Sequence, residues 1–76
     1  MALFIVRIAH DEEAGVWFVA HSDVPGLRAE APTSDALIAR IPAMVTDLLE
    51  ENEPNLREAA IEIIAHSHAR VQLSAA

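Results

Sequence analysis

Cysteine, lysine and tyrosine are all absent from this 76-residue sequence, and glycine occurs only twice. Without cysteine there can be neither disulfides nor thiolate metal sites. Without lysine, the five cations are all arginines, set against twelve carboxylates, and the formal net charge is −7. Affinity for nucleic acid rests on cations that release counterions from phosphates, so this balance disfavours direct DNA or RNA binding. It suits instead a basic protein partner, because complementary charge speeds encounter and disfavours wrong pairings. No apolar run approaches the ~18–20 residues of a membrane span. The opening MALFIVRIAH is too short and too weakly charged for a signal peptide. A cytoplasmic protein without membrane attachment is the expectation.

What the chain has in abundance is apolar residue, 53% of the total. A chain this short forms one domain, expected over residues 1–76, and buries only about 60% of the surface its unfolded form exposes. With no disulfide or thiolate metal site to reinforce it, self-association into a dimer or higher oligomer is expected.

Along the chain, Leu3 to His10 reads as a strand with Phe4, Val6 and Ile8 on one face. Asp11 to Gly15 is polar and ends in glycine, the pattern of a hairpin loop. Val16 to Ser22 is the returning strand, apolar on both faces and therefore expected inside the sheet. Asp23-Val24-Pro25-Gly26 is the sharpest turn signal, with Pro25 presetting φ and Gly26 supplying φ > 0. A third strand is predicted from Leu27 to Ala31.

Thr33 or Ser34 then caps a helix with Asp35 in its first turn. Leu37, Ile41, Met44, Val45 and Leu48 recur at helical spacing. Pro42 predicts a kink or two abutting helices, and Asn52 and Pro54 mark the end. From Ile61 to Leu73 the pattern alternates with period two, the mark of a half-buried strand. A helix is the competing reading there, since Asn55 and Glu58 could form a capping box. The expected fold is α+β in the order β-β-β-α-β. It is an antiparallel meander with one helix on one face, an exposed opposite face and a last strand returning to the sheet.

The residues offer little chemistry. His21-Ser22-Asp23 has the composition of a triad, but successive strand side chains point to opposite faces, so no catalytic residue is assigned. His66 and His68 are weak candidates for metal ligands at strand spacing, with His10 near them if the first and last strands are neighbours. No cofactor is implied. Trp17, the only tryptophan, is a candidate contact residue that equally serves as a sheet anchor. Asp47, Glu50, Glu51 and Glu53 gather at a helix C-terminus, where carboxylates oppose the macrodipole at ~0.3–1 kcal/mol each. A local rule broken in this way marks a candidate docking surface.

The stretch EAGVWFVAHSDVPGLRAEAPTSDALIARI resembles the signature of HicB-like antitoxins. It has an acidic hairpin with glycine, an aromatic strand, a D-hydrophobic-Pro-Gly turn, an acidic strand residue and a Thr-capped helix. The match runs in order from about His10 to Asn52, Pro42 included. The resemblance implies a partial RNase H-like fold without the catalytic carboxylates. It also implies a role masking a HicA-like toxin, a small basic mRNA-cleaving enzyme. The chain looks like the short stand-alone branch, without the C-terminal DNA-binding domain of fuller members, so operator binding is not expected. The alternative is a small-molecule- or metal-binding regulatory module built on the His-bearing strand. Independent nuclease activity is disfavoured, since it needs several converging carboxylates to hold divalent metals.

Overall fold

The computed structural model describes residues 2–74. Four strands and one helix follow the order β1 (Ala2–Asp11), β2 (Val16–Ser22), β3 (Glu30–Ala31), α1 (Ser34–Asn52) and β4 (Ala59–His66). The sheet order is β3-β2-β1-β4. β1, β2 and β3 form the antiparallel meander, whereas β4 returns parallel to β1, opposite Ala2 to Ala9. The sheet is therefore mixed, because the α1 crossover brings the chain back in the direction in which β1 began.

The hairpin loop is held by Asp11, whose carboxylate accepts hydrogen bonds from the N–H groups of Glu13 (3.0 Å) and Ala14 (3.2 Å). Gly15 closes it at φ +68° and donates to the Asp11 carbonyl at 2.8 Å. The next turn spans Val24 to Leu27, with the Leu27 N–H on the Val24 carbonyl at 3.3 Å and Gly26 at φ +83°. Proline followed by a positive-φ glycine is the type II arrangement. Ser22 supports it, its hydroxyl accepting from the Val24 N–H at 2.9 Å.

The predicted third strand is shorter than Leu27–Ala31: only Glu30 and Ala31 pair in register with Phe18 and Trp17. Just upstream, the Val19 N–H still reaches the Ala29 carbonyl at 3.1 Å. Two features explain the loss. The β1–β2 register shifts between Arg7 and Ile8, so β2 carries an irregularity near Ala20, and such bulges interrupt pairing. The turn is also drawn into the core, where Val24 and Leu27 are buried.

α1 starts where the sequence places it, with the Thr33 hydroxyl accepting from the Ala36 N–H at 3.1 Å. Its buried stripe is Leu37, Ile41, Val45 and Leu49, packed on Val6 and Ile8 of β1. Met44 and Leu48 lie half-buried beside it. The helix does not split at Pro42 but continues as one element to Asn52. Pro42 and Ile38 lie on its exposed side, where water can take the place of the donor that proline removes. Arg40 ties the helix to the sheet by donating to the Glu30 carbonyl at 2.8 Å.

The last strand begins at Ala59 and stops at His66, short of Leu73. The stretch 67–74 has no regular secondary structure and is exposed throughout. Pairing with β1 stops at Ala9 and β1 itself ends at Asp11, so beyond about residue 68 the alternating pattern has no neighbouring strand to pair with.

Candidate functional site

The C-terminal end of α1, the loop after it and the start of β4 enclose an open groove of about 390 Å³. Val45, Leu49, Leu56 and Ile61 give it apolar walls, and Glu50, Glu53, Arg57 and Glu58 its charged ones. The sequence dictates this shape. Helical spacing turns Val45 and Leu49 inward and leaves Glu50 and Glu53 beside them on the wet side. The chain then reverses, with the Glu53 N–H on the Leu49 carbonyl at 2.8 Å and the Leu56 N–H on the Glu53 carbonyl at 3.0 Å. The reversal lays Leu56 and Ile61 against the helix end.

The acidic residues singled out from the sequence divide here. Glu50 and Glu53 line the groove; Asp47 and Glu51 are exposed but do not line it. Among the described residues none of the four forms an ion pair; the pairs that do form are His21–Asp23 at 3.7 Å and His68–Glu12 at 3.4 Å, both exposed. Four carboxylates thus stand unneutralised at the helix end whose carbonyls already carry partial negative charge. Glu58 and Arg57 belong to the same site; the sequence offers Glu58 only as a capping-box residue and gives Arg57 no motif, and both lie in the loop before β4.

The other candidates lie elsewhere. Trp17 is half-buried on the helix side of the sheet, packed against the core, its ring centroid 5.3 Å from that of His10. The anchor reading of Trp17 therefore accounts for its position. His66 ends β4 opposite Ala9, and His68 lies beyond the strand, so the two do not share a regular strand face. They approach His10 and Glu12 around a shallow depression at the hairpin end. Among the described residues no three His, Asp or Glu side chains are placed to hold a metal ion. His21, Ser22 and Asp23 are no triad: the Ser22 hydroxyl is held in its turn, and one Asp23 carboxylate oxygen accepts from the Ile5 N–H at 2.9 Å. Pro25 and Gly26 do the structural work expected of them.

The sheet face away from α1 is the second surface of note. It presents Leu3, Ile5, Ala9, Phe18 and Ile64 together with the charged Arg7, Glu30 and Glu62, residues whose neighbours in the chain face the helix. Leu3 is 59% exposed. No helix among the described residues is long and apolar enough to cross a membrane.

Comparison with known proteins bears on the fold and the family. No curated protein matches the chain. A solved structure, the hypothetical protein TTHA1013 of the extremely thermophilic bacterium Thermus thermophilus, is 37% identical. The similarity spans 93% of this chain and 99% of that one, with a TM-score of 0.69. The model of a family described as a domain of unknown function, DUF1902, matches residues 3–75. The chain belongs to the DUF1902 family.

Proposed function

We propose that this protein is a HicB-like antitoxin, a binding module with no chemistry of its own, whose partner is a small basic HicA-like mRNA-cleaving toxin. The observation that carries the reading is the groove at the end of α1, apolar inside and bordered by three carboxylates against one cation, Arg57, with no ion pair formed between them among the described residues. A toxin that grips RNA must present arginines or lysines to phosphates. Those same cations fit Glu50, Glu53 and Glu58 around the groove, with Asp47 and Glu51 extending the negative field. An apolar side chain from the toxin would seat on Val45, Leu49 and Ile61. The open sheet face supplies further apolar area to hold the complex. Neutralisation is then occlusion, with carboxylates standing where RNA phosphates would bind. The ordered resemblance from His10 to Asn52 supports the same reading. On this reading the protein works in the cytoplasm beside its target, and the −7 charge disfavours a direct role on nucleic acid.

The test is co-expression with the product of the adjacent reading frame, followed by co-purification and growth measurement. Rescue of growth and a stable complex are expected. Charge reversal by Glu50→Lys with Glu53→Lys should slow association and flatten its salt dependence, since exposed charges act mostly on the on-rate. A neighbouring product that is harmless alone, or that neither binds nor is rescued, overturns the proposal.

A further inference from the structure

The protein exposes more surface than a chain of its size should. A folded monomer of 8.2 kDa has an accessible area of about 4,500 Å²; this one has 5814 Å². Its radius of gyration is 15.6 Å, against about 11 Å for a compact chain of this length. The longest extent is 63 Å, about twice the ~33 Å spanned by the ten residues of β1. One contributor stands out. Beyond β4 the chain continues as an arm, 67–74, in which Val71 is 76% and Leu73 88% exposed.

Beside this arm lies an unfilled partner surface. β4 is an edge strand eight residues long, hydrogen-bonded to β1 on one side only. Edge strands are ordinarily guarded by lysine, proline, a bulge or brevity. β4 reads Ala-Ala-Ile-Glu-Ile-Ile-Ala-His, with neither lysine nor proline. The arm keeps the same alternation, with Ala69, Val71 and Leu73 in phase with Ile61 and Ile63, and His68, Arg70 and Gln72 in phase with Glu62 and Ile64.

We infer that the occupant of this edge is the arm of a second copy of the same chain. β4 and the arm form one long strand that pairs antiparallel with its equivalent about a two-fold axis near His66. In that register Arg70 lies opposite the partner's Glu62, Val71 opposite the partner's Ile61 and Leu73 opposite the partner's Ala59. Like faces meet like, and the one cation of the arm meets the one carboxylate of the strand. A C2 axis makes both contacts at once and closes the assembly. The area in excess of a compact monomer, about 1,300 Å², exceeds the ~800 Å² per partner of a standard stable interface. The two sheets join into one of eight strands, and the partner's Val71 and Leu73 come beside Ile61 and Ala59, on the β4 wall of the groove at the end of α1. The inference uses no part of the toxin reading, and its test contains no other protein.

Light scattering on the purified full chain at tens of micromolar should give twice the 8.2 kDa monomer mass. A chain truncated after His68, and separately the full chain with Val71→Asp and Leu73→Asp, should give the monomer mass while keeping the helical circular dichroism signal. The register is checked by Glu62→Cys with Arg70→Cys in a protein that has no other cysteine. Eight residues along one extended strand are ~26 Å apart, far beyond disulfide reach, so a bond can form only between copies. Oxidation should yield a covalent dimer that reductant reverses. A monomeric full chain, a dimer that survives both arm variants, or the absence of the cross-link overturns the inference.

Discussion

Ile5 and Val6 are neighbours in one strand, yet they live in different surroundings. Val6, with Ile8, is fully buried beneath Leu37 and Ile41 of the helix. Ile5, with Leu3, Phe18 and Ile64, belongs to the face that no element among the described residues covers. The open face adds Arg7, Glu30 and Glu62 at its exposed positions, but its aliphatic and aromatic residues match those of the shielded face. The difference is that a chain of this length makes one helix, and one helix shields one face. Side chains on the shielded face act on folding stability, whereas those on the open face, the groove and the arm can act only through a second molecule.

The largest effect expected from breaking this comparison is in the shielded face. Ile41→Ala should cost about 2–5 kcal/mol, since its cavity lies among fully buried neighbours, and denaturant unfolding would measure it. In a domain this small such a loss removes much of the total stability. Leu3→Ala on the open face should change the same midpoint by no more than ~0.5 kcal/mol. An equal loss at both sites would show that the open face is covered in the folded protein.

The turn beneath the helix comes next. Gly26→Val should cost ~1–2 kcal/mol, because a β-branched residue is strained at φ +83°. Steric overlap adds little, since a Cβ there would stand 3.5 Å from the end of Leu48. Thr33→Ala should cost about 1 kcal/mol by leaving the Ala36 N–H without its acceptor. Thermal melts resolve both.

The smallest effect expected has the opposite sign. Glu51→Lys at the end of α1 should raise stability by ~0.3–1 kcal/mol, because it replaces a carboxylate that opposes the helix dipole with a cation that complements it. A loss of stability would reveal a cationic partner for Glu51 that the structure does not show. Combined with the slowed toxin association expected of Glu50→Lys and Glu53→Lys, a gain would show that these carboxylates are held for binding at some expense to the fold.

Local sequence patterns set the element order, the hairpin loop, the Pro25-Gly26 turn, a helix cap at Thr33 or Ser34 and most of the inward stripe of α1. Each is local: a φ preference, an orphan N–H or a period of 2 or 3.6 residues fixes it within a few neighbours. Even Leu49 was legible in principle, as the next step after Leu37, Ile41 and Val45. Other outcomes depended on what lay across space. Leu27, Arg28 and Ala29 failed to become strand because the bulge near Ala20 and the burial of Val24 took the chain elsewhere. The alternation from Ile61 to Leu73 was real, but pairing needs a neighbour, and β1 supplies one only as far as His66. Pro42 did not split the helix because it faces water, a fact of packing. The groove joins Val45 and Glu50 to Ile61 and Glu58 across a chain reversal, and no window of sequence contains both sides. Side-chain periodicity is written in the chain; which surfaces find a partner is decided only when the elements meet.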